Sequence, residues 1–487
     1  MWPFFTRLLP GLETPSFLKH FFFKRVFLFF LIIAANAVNA QPAWVVVDSI
    51  SVSGNRKTQL SSVLRELPFA PGDSIPLVQL ESQLEEGEKW LLQTGLFNRV
   101  QLYFRNWEGS SNRVHIQVEV EEGWYIFPVP LLELADRNFN VWWVDYGHAL
   151  NRLNYGIDFR HRNTTGRRDR SKLVLKSGFT QLYQFQYSLP YVNKAKTWGI
   201  SLSLLAARNR EINYATIQNR QAFFRLEDGF ALQRLAASAA FTYRPGLNQQ
   251  QRLRLGYVDN RIDRRIIAWN PNYFLDGRDR QRYFSLSYTL AMDERDVRTY
   301  PLHGTFKELE LVKDGLGVFH DRNGLSISGD YRYYKQLGEI PGYLAVAIKG
   351  QYALIRTPQP YNSNRAIGFL DRTLRGYEYY VVDGPDMFLA NTSLRVKLWQ
   401  YQVNFGKLSP ADALRSMPVN VFVSLNSDWG YVHQPWEIYR NTFNNKLLWG
   451  RGVGLDMVFF VDFVLRLEAS MNHLKEPGLF LHFNTGL

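Results

Sequence analysis

The sequence predicts a transmembrane β-barrel of about 16 antiparallel strands preceded by one small α/β domain, and three observations carry that expectation. Aromatic residues make up 15% of the 487 positions, yet mean hydropathy is slightly negative at −0.25. From Trp124 onward, apolar and polar residues alternate with a period of two through most segments. The one long apolar run, Val26 to about Ala37, falls short of the roughly 20 residues that a spanning helix needs. If the rest of the chain enters a membrane it must do so as strands, because only helices and closed barrels satisfy every backbone group in lipid.

Residues 1–40 have the three-part layout of a secretory signal peptide. Lys19, Lys24 and Arg25 precede the apolar run, and the small residues of Val38-Asn39-Ala40 predict cleavage after Ala40. The chain contains no Cys, which excludes disulfides, thiolate metal sites, cysteine nucleophiles and a lipid-anchored mature N-terminus.

Residues 41–122 read as a compact unit of order β-α-α-β-β. Trp44 to Val52 is rich in β-formers and closes on the turn signal Ser53-Gly54-Asn55. Thr58 can cap a short helix to about Leu67, and Pro68 to Pro76 is a breaker-rich connection. Leu77, Leu80, Leu84 and Leu91 recur at helical spacing, giving an amphipathic helix that stops near Thr94-Gly95. Arg99 to Trp107 and Arg113 to Val120 are strands joined by Glu108-Gly109-Ser110-Ser111-Asn112.

Residues 123–487 form the barrel. Tyr183, Phe185, Tyr187 and Leu189 alternate with Gln184, Gln186 and Ser188, and Leu253 and Leu255 with Arg252 and Arg254. Leu325, Ile327, Tyr331 and Tyr333, and then Phe388, Ala390, Leu394, Val396 and Leu398, repeat the pattern. One face would meet lipid and the other a wet lumen; a soluble sandwich would have to bury so many Arg and Lys in its core. Seventeen candidate strands lie at about 125–134, 153–162, 171–180, 182–190, 197–209, 219–228, 230–244, 249–262, 282–293, 304–313, 323–336, 342–356, 386–399, 418–428, 450–460, 462–472 and 478–487. Bacterial single-chain barrels favour even numbers, and 219–228 is interrupted by Glu227-Asp228-Gly229, so it is assigned to an extracellular excursion.

The formal charge of +13 is unevenly spread. Residues 41–122 hold seven Lys/Arg and eleven Asp/Glu, a balance of −4, while everything from 123 onward carries +14. The Arg residues are scattered through strands rather than clustered, which fits anionic head groups and a polar lumen and argues against nucleic acid.

Three motifs stand out. Leu374-Arg375-Gly376-Tyr377 sits in a long loop, about Thr357 to Pro385, of the length that is usually functional or disordered. Gly376 permits a tight backbone turn that presents Arg375. Asp293, Arg295 and Asp296, followed by Pro301 and Gly304, mark a tight turn with local charge pairing, read as structural. The last strand carries Phe480, Phe483 and Leu487.

These motifs, with the β-α-α-β-β order and the Thr94-Gly95-Leu96-Phe97-Asn98 hinge, closely resemble the BamA/TamA outer-membrane assembly family, in a member with a single POTRA domain. The resemblance implies a bacterial outer-membrane barrel with its N-terminal domain in the periplasm. It also implies that the Arg375 loop folds back into the lumen against an acidic wall residue, and that the Asp-x-Arg-Asp and Pro-x-x-Gly turn is periplasmic. Asp428-Trp429-Gly430 matches the family's Asp-x-Gly strand and favours Asp428. Asn426 stands where the family usually has Phe, and an alternative register would place Ser424 in the acidic slot and leave Asp456 as partner. Family members commonly end in an aromatic residue, from which Leu487 departs. POTRA domains bind extended chains at exposed sheet edges.

No Gly-x-Ser-x-Gly, His-Glu-x-x-His or phosphate-binding glycine loop occurs, and the nine His are dispersed. The reading is therefore neither an enzyme nor a cofactor or metal protein. Its leading function is insertion of outer-membrane proteins, with unfolded outer-membrane or secreted polypeptides, outer-membrane lipids or lipopolysaccharide, and accessory assembly proteins as partners. The alternatives are a translocator for one dedicated substrate and a passive channel or surface barrel.

Overall fold

The computed structural model describes residues 44–105, 112–136, 138–193, 195–339, 341–369, 371–404, 416–436, 441–459 and 463–485. The signal-peptide segment 1–40, most of the 108–112 turn and Leu487 lie outside the described residues. Contacts divide the chain into two compact units, one of Met1–Gly54 with Leu67–Glu121 and one of Asn55–Glu66 with Glu122–Leu487.

In chain order the N-terminal region forms β1 (Trp44–Ser53), α1 (Leu60–Leu64), β2 (Ser74–Pro76), α2 (Leu77–Gln93), β3 (Phe97–Arg105) and β4 (Arg113–Glu122). Of these, α1 groups with the second unit. The strands of the first unit form one sheet of order β2-β1-β4-β3, with β1 and β4 parallel. Helix α2 buries Leu80, Leu84 and Leu91, while Leu77, on its first turn, stays exposed. The sheet has four strands rather than the expected three. Ser74–Pro76 is too short for a periodic signal, and Pro76 lacks a backbone N–H; only its antiparallel pairing with Trp44–Val46 makes it a strand.

The second unit is dominated by a 16-stranded antiparallel sheet. It begins with β5 (Ile126–Leu134), β6 (Leu153–Arg162), β7 (Arg170–Gly178), β8 (Thr180–Leu189) and β9 (Trp198–Asn209). A separate ribbon of β10 (Glu211–Ile217) and β11 (Arg220–Arg225) interrupts the series, so the 219–228 segment does stand outside the barrel sheet. The sheet resumes with β12 (Leu232–Tyr243), β13 (Gln249–Ile262), β14 (Arg280–Asp293), β15 (Gly304–Asp314), β16 (Gly324–Gln336) and β17 (Gly342–Ala353). After the long loop, which holds the short pair β18 (Arg365–Ile367) and β19 (Val382–Asp383), come β20 (Asp386–Asn404), β21 (Ser416–His433), β22 (Leu447–Val458), β23 (Phe463–Met471) and β24 (Pro477–Thr485).

The alternation has its expected consequence. Leu253 and Leu255 on β13, Leu309 and Leu311 on β15, and Leu394 and Val396 on β20 all face outward and are exposed, forming a lipid-facing band. On the other face charges pair along a strand, as Arg160 with Asp158 and Arg332 with Asp330, both at 2.5 Å, and across strands, as Lys172 of β7 with Asp158 of β6 at 3.3 Å. Strand β20 runs past the expected end at 399. A bulge between Lys397 and Trp399 puts the consecutive Leu398 and Trp399 both on the exposed side, which breaks the period used to find the strand's end. No helix among the described residues is long and apolar enough to cross a membrane.

Candidate functional site

The site is built where the long loop meets the inner wall of the last strands. Ala366, Ile367, Leu374, Tyr377 and Val382 of the loop are buried together with Met387 and Leu389 of β20, Val432 of β21 and Leu448 of β22. A loop with its own apolar core is held in one place rather than left as a solvated connection. Glycines give it room and shape. Gly376 has φ +79°, and a Cβ there would lie 2.7 Å from the Asn472 nitrogen; a Cβ on wall residue Gly450 would lie 1.9 Å from the Arg375 carbonyl.

Gly376 turns the chain so that Arg375 points at the wall. Its Nη1 donates to Oδ1 of Asp428 at 2.6 Å, its backbone N–H to Oδ2 of the same carboxylate at 3.2 Å, and its Nη2 to Ser393 at 3.2 Å. Its Nε donates to Glu468 at 2.9 Å. Asp428 is 0% and Glu468 1% exposed, so one guanidinium joins the loop to β21 and β23 through two carboxylates that have almost no access to water, and to β20 through Ser393. Tyr377 stacks on His473 at 5.8 Å and donates to the Trp449 carbonyl at 3.3 Å. On the far side of the loop, Arg372 donates to Gln351 of β17 at 2.7 Å.

Of the two candidate acids, the structure places only Asp428 against Arg375. Asp456 is instead bound by Arg466 at 2.7 Å and by the Tyr300 hydroxyl at 2.7 Å. The reason is register: Asp456 faces Arg466 directly across the β22–β23 ladder, which occupies its carboxylate. The sequence reading missed Glu468, whose signal is its inward place on β23 beside Arg466.

Tyr300 comes from the Asp293–Gly304 turn. There Arg295 donates to Asp293 at 2.7 and 2.9 Å, and Asp296 accepts the backbone N–H groups of Val297 at 2.7 Å and Leu302 at 3.1 Å. Gly304 has φ +100°, with the Glu294 carbonyl 2.1 Å from where its Cβ would sit. Pro301 offers its carbonyl to Arg395 of β20 at 3.2 Å. The turn thus packs Tyr300 with Phe422, Val458 and Val464 against the inside of the wall.

Three residues far apart in sequence also converge beside Arg375. Glu378 of the loop, Glu468 of β23 and His482 of β24 each bring a donor atom within 4.8 Å of the others. Burial, and then the neighbouring Glu468 carboxylate, push the Glu378 carboxyl up to about 8.

A POTRA family profile, described as a surface antigen variable number repeat, matches residues 45–123. The Omp85 superfamily domain matches residues 163–457, more than half of the chain. The chain belongs to the Omp85 superfamily. Members of that superfamily are transporters and assembly factors rather than enzymes. Membership, with this fold, implies an outer-membrane barrel whose POTRA domain lies in the periplasm. Among solved structures the chain is similar to BamA from Haemophilus ducreyi lacking POTRA domains 1–3, with 15% identity, TM-score 0.53, and 90% of this chain and 83% of that one covered. It is also similar to CdiB from Acinetobacter baumannii, with 13% identity, TM-score 0.50, and 91% and 74% of the two chains covered. At these identities the likeness is one of fold. No curated protein matches the chain in sequence.

In this Omp85 barrel the first and last strands, β5 and β24, are the two ends of the sheet, and the described residues contain no pairing between them. The segment after β5 takes that place. Asn140 donates from Nδ2 to the Leu479 carbonyl at 2.7 Å and accepts the Leu481 N–H on Oδ1 at 3.2 Å, so its carboxamide imitates a peptide group of a neighbouring strand. Phe139 covers Phe483 edge-on at 6.4 Å, while Phe480 is buried on the opposite face against Tyr379 at 5.7 Å. Beneath the seam lies a cavity of about 810 Å³, bordered by Leu132 and Leu134 of β5, Leu481 and Phe483 of β24, and Tyr377 of the loop.

Proposed function

We propose that this Omp85 protein assembles other polypeptides into the outer membrane, by holding an extended client segment at the periplasmic POTRA domain and passing it to the seam between β5 and β24. The observation that carries this reading is the end of β24. Its backbone groups at Leu479 and Leu481 are met by the side chain of Asn140 rather than by a strand. A side-chain amide supplies two bonds where a paired strand would supply one per residue, so an incoming strand gains more than it displaces. The Arg375 clamp supports the same reading: it fixes the loop to β20, β21 and β23 and leaves β24 out, so the last strand can move while its neighbours stay. The role is non-catalytic, and the clients are unfolded outer-membrane polypeptides.

The test is depletion of the protein followed by quantitative outer-membrane proteomics, with rescue by the wild type or by Arg375→Ala. A broad fall in other barrels, rescued by the wild type alone, is the expected result. Loss of one or a few exported proteins would replace assembly by dedicated secretion. An unchanged outer-membrane proteome would overturn both readings and leave a channel or surface barrel.

A further inference from the structure

We propose that Glu378, Glu468 and His482 form a binding site for one divalent transition-metal ion, of the Zn²⁺ or Mn²⁺ class, that ties the long loop to the last two strands of the barrel.

The three side chains come from three separately placed elements, and one donor atom of each lies within 4.8 Å of the others. His482 Nε2 stands 3.8 Å from Glu378 Oε1. Metal–donor bonds of about 2.0–2.2 Å put adjacent donors roughly 3.3 Å apart, so the group closes on an ion by side-chain movements of about 1 Å.

A second, independent observation points to a ligand. Glu468 is 1% exposed, and its Oε2 is taken by Arg375, while its Oε1 is buried and meets no hydrogen-bond donor among the described residues. Buried carboxylate oxygens are normally satisfied, and an oxygen left over beside a second carboxylate and an imidazole is placed for a cation.

The donor set selects the class. Imidazole with two carboxylates suits Zn²⁺ or Mn²⁺, whereas Ca²⁺ and Mg²⁺ favour oxygen alone. Glu378 and His482 both border the cavity of about 810 Å³, which gives water access to the remaining coordination positions. A bound ion would connect Glu378 directly to β24, the strand that the Arg375 clamp leaves out.

The test uses the untagged full chain in detergent micelles, stripped with chelator and titrated with Zn²⁺ or Mn²⁺ by calorimetry, with Co²⁺ absorption as a spectroscopic readout. Saturable binding of a single ion per chain, lost in both His482→Ala and Glu378→Gln, is the expected result. These two variants leave the Arg375–Asp428–Glu468 contacts in place, and heat-modifiable gel mobility verifies that each barrel is folded. Absence of stoichiometric binding by the folded wild type would overturn the proposal, as would binding that both folded variants retain unchanged.

Discussion

Replacing Arg375 by Ala should release the loop tip while the barrel stays folded. The substitution removes the guanidinium that Asp428, 0% exposed, and Glu468, 1% exposed, both depend on, together with the 3.2 Å bond to Ser393. Breaking a buried ion pair by deleting one partner costs about 3–5 kcal/mol, because the other charge is left without water or a counter-ion. At about 1.4 kcal/mol per factor of ten, the docked state of the tip loses a hundred-fold to several-thousand-fold in its equilibrium. The apolar anchors Ile367 and Val382 remain, so release is confined to the tip. Hydrogen exchange measured by mass spectrometry on the micellar protein should show faster exchange at 373–379 and little change in β20 to β23. Asp428→Asn with Glu468→Gln in the Arg375→Ala background should recover part of the protection, since the stranded charges are gone. Equal protection of the tip in wild type and Arg375→Ala would refute the clamp, and failure of the triple variant to recover would refute its electrostatic basis.

Three further outcomes are expected. Gly450→Ala sets a Cβ 1.9 Å from the Arg375 carbonyl, so it should expose the same 373–379 segment to exchange with every charge intact; wild-type protection would mean the wall yields there. Asn140→Ala removes two hydrogen bonds to β24, about 2 kcal/mol in all, and should speed exchange of the Leu481 amide by roughly five- to thirty-fold; an unaffected rate would show that Asn140 does not hold the seam. Within the second unit Glu66 is buried against Arg168 at 2.5 Å and Arg244 at 3.5 Å and accepts a hydrogen bond from Tyr191. Burial opposes its ionisation, but these partners prevail and hold it below its ordinary value of 4.5. Its contribution is therefore complete above about pH 4.5 and lost as pH falls through the lowered value. Protease sensitivity of residues 55–66 should rise only in strong acid and lose that pH dependence in Glu66→Gln; a transition near neutral pH would contradict the assignment.

Much of the barrel was legible because a membrane strand has one lipid face and one wet face, which writes a period of two directly into the chain. Strand β13 has the bounds expected from the sequence, Gln249 and Ile262, around the alternation of Arg252 to Tyr257. The period failed where backbone geometry overrode it: at the Lys397–Trp399 bulge, and at Ser74–Pro76, which is a strand only because β1 offers it an edge. The loop motif was readable as Arg-Gly-Tyr because Gly376 needs positive φ and a buried Arg needs an acid. The choice of Asp428 came from its Asp-x-Gly match to the family rather than from periodicity, since Asp428 and Asp456 are both inward-facing Asp on adjacent strands.

The sequence by itself determined the barrel class and the α/β domain before it, because each follows from local periodicity, whereas the inward fold of the arginine loop was implied by the family resemblance. Only the tertiary structure decided that Asp428 and Glu468 share Arg375, that Asp456 belongs to Arg466 and Tyr300, that Asn140 stands in for a strand at β24, and that Glu378, Glu468 and His482 meet. These are contacts between residues from 10 to 341 positions apart, as in Asp456 with Arg466 and Asn140 with Leu481. Such contacts depend on strand register and on the path of a folded loop, which no local pattern encodes.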